Sequence, residues 1–134
     1  MPELLVNIDV PDLERAVGFY CSALGLRVGR RFDGAAELLG STAPIYLLEK
    51  ASGTPASSQT AQTRDYNRHW TPVHLDFVVP DLEQALQRAQ AAGARVEIGI
   101  RAASWGRIAN LCDPFGNGLC LLQFTGRGYD EIAI

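Results

Sequence analysis

The sequence predicts an α+β fold built from two tandem βαβββ modules, and three observations carry the prediction. The segment Val10-Pro11-Asp12-Leu13-Glu14-Arg15-Ala16 returns as Val79-Pro80-Asp81-Leu82-Glu83-Gln84-Ala85, an offset of 69 residues and about half the chain. Each copy follows an alternating apolar and polar run and precedes an amphipathic stretch closed by glycine. The chain has 134 residues, 47% of them hydrophobic, the size and apolar content of one ordinary domain. Each copy is therefore one supersecondary unit of a repeated structure.

Leu4, Val6, Ile8 and Val10 alternate with Leu5, Asn7 and Asp9, and Val73, Leu75, Phe77 and Val79 alternate with His74, Asp76 and Val78. That period of two marks a half-buried first strand in each module. Pro11 and Pro80 stop the ladder. Asp12 and Asp81 are placed to accept hydrogen bonds from the free amides of a following helix, whose positive end favours Glu14 and Glu83. Leu13, Ala16, Val17, Tyr20 and Leu24 recur every three or four residues, an apolar stripe able to cover a sheet. Gly25 and Gly93 supply the left-handed cap that ends each helix. Three short strands follow in each copy, at 26–33, 35–39 and 44–50, then at 94–100, 104–111 and 118–124. Asp113-Pro114-Phe115-Gly116-Asn117-Gly118 is dense in turn formers and suits the last hairpin. The organisation predicted is a first module at 1–50, a connector at 51–70, a second module at 71–125 and a tail at 126–134.

The connector is rich in Ser, Thr, Gln and Gly, and reads as a mobile exposed linker or as a lid over a site. Arg68 and His69 at its border are expected to be solvated. In the tail, Tyr129, Ile132 and Ile134 suggest a segment that packs back on the protein or a partner. With 12 basic and 15 acidic residues and a net charge of −3, the chain has no footprint for nucleic acid. No apolar run is long enough to span a bilayer, and the first residues lack the pattern of a signal peptide. Three cysteines without close pairing, Cys21, Cys112 and Cys120, point to reduced thiols. A soluble cytoplasmic protein is the expectation.

The tandem βαβββ order, the PDLxxA start of each helix, Phe19-Tyr20 ahead of Leu24-Gly25, and the DPxGN turn before the last strand together resemble the vicinal oxygen chelate superfamily, the glyoxalase, bleomycin-resistance and extradiol dioxygenase group. The resemblance covers nearly the whole chain. It implies curled mixed sheets around a cavity between modules, a homodimer, and commonly a divalent metal. In that family the ligands are typically a histidine seven residues before the helix-starting Asp and a glutamate on the closing strand. The matching positions here are Leu5, His74, Tyr46 and Cys120, so His74 is the single matched ligand. The family's usual metal site, and with it glyoxalase I or extradiol dioxygenase chemistry, is not expected. An unusual set of His74, Asp76 and Cys120 remains open, as does a bulge that would bring Glu49 round.

His74 and Asp76 lie two apart and so share a strand face with one another. His74 is open to two readings, a structural histidine or a group that binds ligand or acts as general base. Cys120, among Leu119, Leu121 and Leu122, reads as a buried inert thiol or a nucleophile. Tyr46, Leu48, Trp105 and Phe124 are candidate walls for an apolar or aromatic ligand, with Asn7, His74 and Asp76 orienting it. Arg107 either holds an anionic group or sits at a solvated strand edge. The function these residues suggest is enclosure of a small, flat or aromatic molecule without a metal; the alternative is a lyase, isomerase or dioxygenase-like enzyme with a degenerate site or His74 as base.

Overall fold

The computed structural model describes residues 1–134 and divides into two compact units, Met1–Asn67 and Arg68–Ile134. Each is a four-stranded mixed sheet that leaves its edges open, backed by one helix. The first contains β1 (Val6–Val10), α1 (Leu13–Leu24), β2 (Arg27–Phe32), β3 (Ala35–Leu39) and β4 (Ile45–Glu49), in the sheet order β1-β4-β3-β2. The second repeats it with β5 (Leu75–Val78), α2 (Leu82–Ala92), β6 (Arg95–Ala103), β7 (Gly106–Cys112) and β8 (Gly118–Phe124), in the order β5-β8-β7-β6. In each, the helical crossover lets the first strand run parallel to the last, while the remaining pairs are antiparallel hairpins. No helix is long and apolar enough to cross a membrane.

The helices start and stop where the sequence predicts. Asp12 and Asp81 each accept a hydrogen bond from the amide three residues on, and Gly25 and Gly93 take positive φ values of 67° and 118°. In α1 the buried stripe is Leu13, Ala16, Val17, Phe19, Tyr20 and Ala23, while Leu24 is only half-buried. Both first strands are shorter than their alternation suggests. Ladder pairing begins at Val6↔Ile45 and Leu75↔Leu119, so Leu4, Leu5, Val73 and His74 precede the strands.

Each sheet has a helix-covered face and an open one. Ile45 and Leu47 of β4 and Leu119 and Leu121 of β8 are at most 4% exposed and form the covered faces. The last turn is held by Asp113, whose carboxylate accepts from the amides of Phe115 and Asn117 and from the Asn117 side chain. The connector is no free tether: Pro55 bridges to Thr63, and Arg64 Nε reaches Asp9 Oδ2 of β1 at 2.7 Å. The tail turns through a 3-10 segment, Gly128–Glu131, which stacks Tyr129 on Trp105 and Phe124 with ring centroids 5.2 and 4.8 Å apart.

Candidate functional site

Register decides which side chains share the open face of the second sheet. Asp76 pairs with Cys120, and Cys120 pairs with Asn110, so the three stand in a row across β5, β8 and β7. His74, just ahead of β5, places Nδ1 2.9 Å from Asp76 Oδ1, and both side chains are partly exposed. The tautomer with its proton on Nδ1 makes that bond and leaves Nε2 as an acceptor. Trp70 stands edge-on to the His74 ring at 6.4 Å and is itself stacked under the Arg68 guanidinium at 4.2 Å. Gly118 makes room for this cover, because a Cβ there would lie 2.7 Å from Arg68 Nη2 and 3.1 Å from the Trp70 ring. Arg68 is not solvated, contrary to the sequence-based expectation. Its side chain is 17% exposed and forms a two-pronged ion pair with Glu97 at 2.5 and 2.6 Å.

Cys120 is buried, and burial pushes its thiol up to about 11, with the Asp76 carboxylate adding to the rise. At neutral pH it is a thiol and not a thiolate, so it lacks the activation a nucleophile needs. His74, Asp76 and Cys120 each bring one donor atom to within 4.8 Å of the others.

The first sheet carries a row at the same register positions: Asn7 pairs with Tyr46, and Tyr46 with Glu37. Glu37, a residue that sequence reasoning missed, is 6% exposed. It accepts from the Arg30 backbone N–H at 3.0 Å, from Arg30 Nη2 at 2.7 Å and from the Tyr46 hydroxyl at 2.7 Å. The Arg30 side chain first, then its backbone N–H and Tyr46, hold the Glu37 carboxyl at about 2. The hydrogen bond to Glu37 raises Tyr46. Gly29 permits the arrangement, since a Cβ there would stand 2.5 Å from Glu37 Oε1. The available signal was a lone charge in the centre of the apolar run Ala35-Ala36-Glu37-Leu38-Leu39.

The remaining candidates fall elsewhere. Leu48 faces the open side of the first sheet opposite Asp9. Trp105 and Phe124 belong to the aromatic group with Tyr129, and Phe124 lies about 13 Å along β8 from Cys120 at ~3.3 Å per residue. Arg107 is corrected: it lies on the covered face of the second sheet, opposite Gln123, where it pairs with Glu83 at the start of α2 and with Gln123 Oε1 at 2.8 Å. It holds Glu83 at about 2 by those hydrogen bonds and is not placed among the open-face residues. Glu49 is likewise turned away, its Oε2 accepting from the Leu13 amide at 2.8 Å.

With two βαβββ units and their open faces defined, comparison with known proteins places the chain. The model of the glyoxalase-like domain family matches residues 5–122, and the protein belongs to that family, within the vicinal oxygen chelate superfamily. Among solved structures, a glyoxalase/bleomycin resistance protein/dioxygenase family enzyme from Burkholderia phytofirmans PsJN superposes with a TM-score of 0.73 at 20% identity, covering 90% of this chain and 97% of that one. The fosfomycin resistance protein FosX from Listeria monocytogenes gives 0.74 at 16% identity, covering 99% and 98%. TioX from Micromonospora sp. ML1 gives 0.72 at 18% identity, covering 93% and 100%. No curated protein matches the sequence.

The donor set at the positions matching the family's metal ligands does not fit the usual metal. Leu5 offers no donor, and the Tyr46 hydroxyl is already committed to Glu37 and Arg30. Cys120 replaces a carboxylate with a thiol that must first lose a strongly held proton.

Proposed function

We propose that the protein binds a small, flat or aromatic molecule on the open face of its second sheet and does so without the metal usual in its family. The observation that carries this reading is the His74–Asp76 pair, an oriented imidazole and carboxylate left accessible beside the Trp70 ring on the open face of the sheet. Both groups are open to solvent, and a ligand can take the place of the water on them. Trp70 offers a flat surface, and Asp76 fixes the imidazole. Binding by enclosure is what bleomycin-resistance-type members of the superfamily do. On this reading the protein works as a cytoplasmic homodimer.

A second reading is favoured by the Nδ1–Asp76 contact alone. A histidine oriented by a carboxylate, with Nε2 as acceptor, is a general-base arrangement, and it would make the protein a metal-free enzyme.

The test joins two measurements. Elemental analysis after dialysis should find far less than one transition metal per chain; about one would overturn the metal-free reading. His74→Ala should weaken the binding of small aromatic ligands found by screening about tenfold, while the melting temperature moves by only a few degrees. A large loss of stability with unchanged affinity would assign His74 to structure instead.

A further inference from the structure

The two open faces carry rows at matching register positions, and the rows differ in charge at their far end. Asn7, Tyr46 and Glu37 in the first sheet stand where Asp76, Cys120 and Asn110 stand in the second. Both rows end on an arginine reaching in from the outermost strand. Arg30 Nη2 lies 2.7 Å from Glu37 Oε2, and Arg101 Nη2 lies 2.6 Å from Asn110 Oδ1. Glu37 is a carboxylate and cancels the charge of Arg30. Asn110 is a neutral amide, which orients Arg101 and cancels nothing.

Arg101 takes part in none of the ion pairs of the molecule. The carboxylate of its own row, Asp76, lies two strands from Asn110, about 10 Å at ~4.8 Å per strand. Asp76 is also engaged already, by His74 at 2.9 Å and by the Cys120 thiol. A guanidinium held in place through one donor, with its remaining donors and its full charge available, is suited to an oxyanion. Between the two polar ends sits Cys120, a buried neutral thiol that brings no charge to the middle of the row.

We infer that the ligand of the second sheet carries an anionic oxygen group, a carboxylate, phosphate or phosphonate, held by Arg101, with Asn110 orienting the guanidinium. The inference rests on the reading of this face as the binding face and narrows it to a chemical class. The ligand is anionic at one end, uncharged in the middle and hydrogen-bonding at the end that meets His74 and Asp76. The Arg30–Glu37 pair is the built-in comparison: an arginine that reaches the matching row from a different place on its strand and is neutralised there selects no anion.

The test uses the full chain, nitrogen-15 labelled, titrated with 4-hydroxybenzoate and its neutral analogue 4-hydroxybenzamide. The amides of Asp76, Cys120 and Asn110 and the Arg101 Nε–H are followed by NMR. The benzoate should bind at least tenfold more tightly than the benzamide, with shifts along the whole row. Arg101→Gln should remove that preference, and Asn110→Asp should do the same while leaving Arg101 in place, because it installs the neutralising carboxylate that the first sheet has. Equal affinities for the two probes with shifts on the row, or a preference that survives both variants, would overturn the anion inference and leave the binding face standing. Absence of shifts on the row with either probe would overturn the binding-face reading, and the inference with it.

Discussion

Glu37 shows how a charge is kept inside a sheet. Its carboxylate loses water and is given donors in return: the Arg30 backbone N–H, two side-chain nitrogens of Arg30, and the Tyr46 hydroxyl. Such a group is stable only while every partner stays. Its carboxyl is held at about 2, against 4.5 in an unstructured chain. A depressed acid stabilises the fold above its unfolded value and loses that contribution as pH falls toward the folded one. The stability difference between wild type and Glu37→Gln should therefore be largest near neutral pH and shrink as pH drops from about 4.5 to about 2. Urea unfolding of both proteins across that range checks it, and a difference independent of pH would contradict the assignment. Glu83 is depressed in the same way by Arg107, so the comparison must be made between the two proteins and not read from wild type alone. Sequence reasoning passed over Glu37 because a single charge in an apolar run has no visible partner; Arg30 is seven residues away and Tyr46 nine.

At the scale of elements, the last residues of the closing strands tie each helix to its own sheet. Glu49 accepts from the Leu13 amide at 2.8 Å and Gln123 from the Leu82 amide at 2.9 Å, so the same position in both repeats caps the first turn of the helix. Asp12 and Asp81 cap a second amide in each case. Every helix start is thus satisfied twice, once locally and once across the sheet. Glu49→Ala should destabilise the protein by about 1 kcal/mol, as loss of a capping side chain does, measured from the urea midpoint. No change would mean that water replaces the contact. The capping also settles the question of a bulge. Position 49 lies three residues beyond Tyr46, an odd count in a strand, and its side chain goes to the helix side as an unbroken pleat requires.

For the whole molecule the prediction concerns association. β1 and β5 each lie at one edge of their sheets, and apolar side chains at or ahead of them are exposed, with Leu5 at 53%, Val73 at 78% and Val78 at 56%. Outer strands flanked by apolar residues invite pairing with another chain. Light scattering after gel filtration should give about twice the 14.5 kDa of one chain. Leu5→Lys should move the equilibrium toward single chains. A mass of one chain at every concentration would reject the dimer.

The repeat, the two helices with their caps, the strand order along the chain and the family were all legible in the sequence, because each rests on local periodicity, proline and glycine, or spacing within a few residues. The polar face of the first strands was legible for the same reason: His74 and Asp76 are two apart, and period two alone sets them together. Which distant residues join them was decided by the tertiary structure. Arg107 and Arg101 look alike in sequence, yet cross-strand register turns one to the helix side and the other to the open face. Trp70 was hidden in a segment without periodicity, and its position depends on the bare backbone of Gly118. Glu37 and Asn110 became comparable only when their strands paired with β4 and β8. The physical reason is common to all three: a strand's own pattern tells which residues share a face, but which face meets the helix, and what stands across the ladder, depends on hydrogen bonds to other strands.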